Sequence, residues 1–124
     1  MTFPETLREL ARLRPEMFKI MHHQLNDSFR WNDHDGECFI LLRDDWVATQ
    51  DDLDSILLKL DRRVLLRESV TTVGGKRTVR LVATIFDMDW NRLFTIETDE
   101  TEKNPAMQKA LTAVVEELKK GEKG

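Results

Sequence analysis

The feature that most restricts this chain is a pair of glycines, Gly74-Gly75, set between two long β-rich runs. Arg62 to Val73 and Lys76 to Asp87 are dominated by Val, Thr, Leu, Ile and Arg. Adjacent glycines accept the positive φ angles that a tight two-residue hairpin turn requires. Such a loop fixes the register, placing Val73 opposite Lys76 and Arg63 opposite Phe86. Val64, Leu66, Val70, Val79, Leu81, Ala83 and Ile85 then share one face, which is the expected core face. Arg63, Leu65, Arg67, Ser69, Thr71, Thr78, Arg80, Val82, Thr84 and Phe86 share the other, which is mixed. Glu68 is a local conflict. It falls on the core face opposite Leu81, where an unpaired carboxylate is costly unless it reaches an edge or a base.

Helices are expected around this hairpin. Thr2 with Glu5 three residues on reads as a helix start, followed by Leu7, Leu10 and Ala11 at helical spacing. Pro15 suits the first turn of a second helix, with Phe18, Met21 and Leu25 as its stripe. The pattern is either one kinked helix or two short ones. Phe29 and Trp31, then Glu37 to Leu42, flank the turn residues Asn32-Asp33-His34-Asp35-Gly36 and read as a hairpin. Thr49 caps a helix with Leu53, Ile56, Leu57 and Leu60 on one face. Arg92 to Thr98 is a further strand. Asn104-Pro105 opens a last helix, with Met107, Ala110, Leu111, Val114 and Leu118 inward and Gly121 as its stop.

The expected fold is α+β in the order α(α)-ββ-α-βββ-α, an antiparallel sheet with helices packed on one face. With 124 residues, 40% of them hydrophobic, one core and one domain are expected over residues 1–120, with 121–124 a frayed tail. Apolar runs such as Phe39-Ile40-Leu41-Leu42 fall far short of the roughly 20 residues a membrane span needs, so no membrane association is expected. Cys38 is the only cysteine. No internal disulfide can form, and a reducing, cytoplasmic setting is expected.

Charge divides along the chain. Residues 26–61 hold ten acids against three bases, whereas residues 62–98 hold seven bases against four acids. The overall net charge of −4 does not suit non-specific nucleic-acid binding, which is not expected.

No motif specifies a chemistry. His22, His23, His34, Asp33, Asp35, Glu37 and Cys38 are ligand-type residues, but adjacent histidines on a helix point about 100° apart. No metal-ligand spacing signature is present. Gly74-Gly75-Lys76-Arg77-Thr78 lacks the helix that a phosphate loop precedes. Asp87-Met88-Asp89 with Glu97 offers carboxylates near strand ends, without a lysine or histidine close in sequence to complete a site. No catalytic residue, metal or cofactor is expected, and Cys38 within a strand reads as a quiet thiol.

Two surfaces remain. The mixed hairpin face, with Arg63, Arg67, Arg80, Val82 and Phe86, has the Arg, apolar and aromatic composition of interface centres. The alternative is acidic, with Asp44, Asp45, Asp51, Asp52 and Asp54 around Trp46, and suits a basic partner. The leading expectation is a small adaptor or regulatory protein that binds another protein through the hairpin face. A homodimer is also expected, since two-fold dimers are the commonest oligomer. The alternatives are a small metal-dependent enzyme, or a nucleic-acid-binding module using the Arg-rich hairpin.

Overall fold

The structure, a computed structural model, describes residues 2–123. Helix α1 (Phe3–Leu13) is capped by Thr2, whose hydroxyl accepts the N–H of Glu5 at 3.3 Å. It buries Thr6, Leu7, Leu10 and Leu13 along one stripe. Three strands follow, β1 (Phe18–Met21), β2 (Ser28–Asp33) and β3 (Gly36–Leu41), paired antiparallel in that order.

Helix α2 (Gln50–Lys59) has a reciprocal cap. The Asp52 N–H donates to Thr49 Oγ1, and the Thr49 N–H donates to Asp52 Oδ2, both at 3.1 Å. A second antiparallel sheet comprises β4 (Arg63–Val73), β5 (Lys76–Phe86) and β6 (Arg92–Glu97), again in sequence order. Helix α3 (Lys103–Lys123) follows β6.

The α+β class is as expected, and two particulars differ. The strands divide between two sheets rather than forming one. The segment expected as a second helix is β1, with Phe18 opposite Trp31 and Ile20 opposite Phe29. Phe18 and Ile20 fit a strand's alternation as well as Phe18 and Met21 fit a helix. Periodicity cannot separate the two in so short a run, and packing decides. Phe18 stacks on Phe29 with ring centroids 5.1 Å apart, a contact that the strand pairing provides. Leu25, placed on the helical stripe by the sequence, is 90% exposed.

The β4–β5 register matches expectation throughout, from Val73 opposite Lys76 to Arg63 opposite Phe86. Gly74 and Gly75 hold φ of 59° and 79° in the turn. The core ends before the hairpin does. Strand β6 pairs with β5 from Val82 to Phe86, and backbone bonds with Thr98 and Glu100 reach Leu81, so residues 69–80 extend beyond as a two-stranded arm. This resolves the Glu68 conflict, because Glu68 lies at the base of the arm and is exposed. It also corrects the expected core face: Val70 is exposed and Val79 only half-buried.

Helix α3 packs against α1, α2, β4 and β5, and so links the two sheets. Ala106, Met107, Ala110, Leu111, Val114 and Val115 are buried along it. It starts at Lys103, one residue before the expected cap. Asn104 instead donates its side-chain N–H to the Ala48 carbonyl and accepts from Gln108 Nε2. Gly121 does not stop the helix, which runs to Lys123. Gly121 is not among the positive-φ residues and therefore makes no left-handed cap. The frayed tail expected at 121–124 is thus helical through Lys123, and Gly124 lies outside the described residues. Among the described residues, no helix is long and apolar enough to cross a membrane.

Candidate functional site

The mixed face of β4 and β5 is the outer face of the second sheet. Helices α2 and α3 cover the opposite face, where Val64, Leu66, Ala83, Ile85, Phe94 and Ile96 join the core. By alternation, Arg63, Leu65 and Arg67 of β4 point outward, with Val82, Thr84 and Phe86 of β5 and Thr95 and Glu97 of β6. Val82 is only 4% exposed and forms the floor between its cross-strand neighbours Arg67 and Glu97. Leu65, in contrast, is 55% exposed.

One end of this face holds an aromatic, Trp90, from the turn between β5 and β6. Trp90 packs edge-on against Phe86 at 5.5 Å between ring centroids, and the Arg63 guanidinium lies 4.6 Å above the Trp90 ring. The ring is nevertheless 56% exposed. The loop before β6 positions it. Asp87 accepts the backbone N–H groups of Asp89 and Asn91, both at 2.9 Å, and the Asn91 side-chain N–H at 3.1 Å. Those hydrogen bonds, chiefly from Asn91, hold the Asp87 carboxyl below its ordinary pKa.

Trp90 itself has φ 64°. A bulky residue in the left-handed region is a genuine outlier, costing roughly 1–2 kcal/mol, whereas Asn or Gly adopts it more readily. Asn91 is adjacent, yet Trp90 occupies the strained position. Strain of this kind persists where the surroundings enforce it, and it clusters at working surfaces. The sequence signal that could have exposed this was a tryptophan inside an Asp/Asn-rich turn.

The charges on the face are unevenly satisfied. Arg80 lies 3.8 Å from Asp99. Arg67 and Glu97 are both exposed, and neither side chain has an ion-pair or hydrogen-bond partner among the described residues. The Arg63 Nε is buried without a hydrogen-bond partner, its guanidinium held instead by the Trp90 ring.

The other candidate groups are separated or already engaged. Asp87 and Glu97 sit at opposite ends of β6, about 17 Å apart along a strand, and the Asp87 oxygens are taken by its own turn. His22 pairs with Asp27 at 3.0 Å, while His34 pairs with Asp33 at 2.8 Å and Asp35 at 3.3 Å. Asp33, then Asp35, raise the His34 pKa. Cys38 is half-buried, and desolvation leads the causes that push its thiol pKa up. Among the described residues, no three His, Cys, Asp or Glu side chains converge in a way that could hold a metal ion.

On the acidic surface, Asp45 is held by Arg43 and Asp52 by the α2 cap, while Trp46 stacks on Phe39 at 6.4 Å. Asp44 and Asp51 flank this group as exposed residues. The basic tip residues Lys76 and Arg77 are exposed at the end of the arm. Comparison with protein-family models, with curated proteins and with solved structures gives no match for this chain.

Proposed function

We propose that this protein is a small adaptor or regulatory module that docks another protein on the outer face of its second sheet, in a reducing, cytoplasmic setting. The observation that carries this reading is the Arg63–Trp90–Phe86 stack, with Trp90 in a strained backbone conformation and its ring half in water. Arginine and tryptophan at the centre of an interface dominate binding energy once desolvated. Leu65 supplies neighbouring apolar area, and Arg67 and Arg80 set charge specificity. Val82 supports the surface from beneath. Asp45 and Asp52 of the acidic patch already serve internal contacts, which makes it the weaker docking surface.

The test is the double variant Arg67→Glu, Arg80→Glu. Each change lies on a solvent face and should alter stability by within about ±0.5 kcal/mol. Affinity capture from the source cell, with and without nuclease, should return a protein that the folded double variant recovers at least tenfold less well. Unchanged recovery by the folded variant defeats the reading and moves the site to the acidic surface. Recovery that depends on nucleic acid in the untreated sample favours the Arg-rich arm as a nucleic-acid contact instead.

A further inference from the structure

The charge pattern across the three strands constrains what can sit on this face. Register places Arg67 on β4, Val82 on β5 and Glu97 on β6 in one row. With strands about 4.8 Å apart, Arg67 and Glu97 flank Val82 symmetrically at roughly 10 Å separation. Their charges are opposite, and neither side chain has an ion-pair or hydrogen-bond partner among the described residues.

Consider a second copy related by a two-fold axis lying in the interface, parallel to β5. That operation exchanges β4 and β6 of the facing sheet. Arg67 then meets Glu97 of the other copy, Glu97 meets Arg67, and Val82 faces Val82. The adjacent row of Leu65, Thr84 and Thr95 is uncharged and sets each Leu65 over a threonine. Toward the arm, Arg80 brings its own Asp99 counter-charge, so the two arginines near the axis arrive compensated. The row of Arg63, Phe86 and Arg92 sets like charges without counter-charges opposite each other. It lies at the end of the face away from the arm.

We propose that the outer face of β4–β5–β6 is the contact between two copies of this chain, closed by two Arg67–Glu97 ion pairs across the two-fold. This rests on reading the face as a protein-docking surface and names its partner. The isologous geometry explains why opposite charges flank a central valine, since a two-fold interface must complement itself. The three-stranded part spans only about 20 Å along the strands, which points to a small, micromolar-range interface.

Sedimentation velocity at low salt, from about 5 to 500 µM, tests this where exposed ion pairs are least screened. The wild type should pass from the 14.6 kDa monomer to a dimer within that range. Arg67→Glu and Glu97→Arg should each weaken the dimer at least tenfold. The combined variant Arg67→Glu, Glu97→Arg should restore it to within about threefold of wild type, because both cross-pairs are inverted in sign together. Mixing the two single variants should produce a heterodimer that neither forms as a homodimer.

Circular dichroism and urea midpoints establish that each variant is folded, and Arg67→Gln with Glu97→Gln provides a milder pair of changes. A wild type that stays monomeric at 500 µM overturns the proposal, leaving the docking reading to the capture experiment. A dimer indifferent to both reversals, or one lost in both and not restored by their combination, also overturns it.

Discussion

The protein contains two aromatic clusters of similar internal spacing and opposite fate. In the first sheet Phe18, Phe29 and Trp31 sit 5.1 and 5.7 Å apart, all buried. The Trp31 indole N–H donates to Ser55 Oγ at 2.9 Å, so even its polar atom is satisfied internally. In the second sheet Phe86 and Trp90 meet at 5.5 Å beneath Arg63, open to water and held partly by a strained turn. A buried aromatic stabilises through area and packing, and a presented one contributes only when something covers it. The same residue types thus hold the fold in one place and offer a surface in the other.

Substitutions can break this contrast. Phe29→Ala should destabilise by about 3–5 kcal/mol, the cost of a large cavity in a close-packed core. Urea denaturation measures it, and a loss below 1 kcal/mol would mean the first cluster is not the core. Trp31→Phe keeps most of the ring but leaves the Ser55 hydroxyl without its donor, for a loss of about 1–2 kcal/mol. Trp90→Gly should change stability by no more than about 1 kcal/mol, since relief of the left-handed strain offsets the lost contacts with Phe86 and Arg63. Binding of a partner protein should nevertheless drop at least tenfold. A large stability loss with binding intact would show that the two clusters do the same job.

The smallest effect concerns pH. Hydrogen bonds and charge pairs hold Glu9, Asp27, Asp33 and Asp87 below their ordinary pKa values. A carboxyl depressed in the folded state contributes stability above its unfolded pKa, and that contribution is lost as pH falls through the folded value. The urea midpoint should therefore decline as pH drops below about 4, near the ordinary aspartate value of 3.8. Asp87→Asn removes one of these groups and should make the acid decline shallower. An unchanged slope would show that the Trp90 turn does not depend on that charge.

The parts of the fold legible in the sequence were those set by local chemistry. Gly74-Gly75 determined the hairpin register, Thr49 with Asp52 the start of α2, and the apolar stripe from Met107 to Leu118 the buried face of α3. What was not legible depended on neighbours distant in sequence. Four residues of β1 become a strand because Phe29 and Trp31 are there to pair with them. The strands divide into two three-stranded sheets, and element order does not contain that division. On the candidate face, the sequence placed Arg63, Arg67, Arg80, Val82 and Phe86 together. It missed Trp90 because nothing in Asp-Met-Asp-Trp-Asn says that tryptophan rather than asparagine takes the left-handed position. It also could not tell that Val82 lies below the surface, since alternation gives direction and says nothing of depth.

Helix α3 contacts α1 on one side and α2, β4 and β5 on another, while the two sheets exchange no strand-pairing bonds. This has a kinetic consequence. The hairpins close over short stretches of chain and can form early, yet the inner face of β4 and β5 is not shielded until residues 103–123 dock. Complete burial of the second sheet must therefore await α3, and until it docks the inner face of β4 and β5 remains open to water and to other chains. Once α3 is seated, a fault in it reaches β4 and β5 directly and the first sheet through α1, which couples two sheets that share no ladder among the described residues.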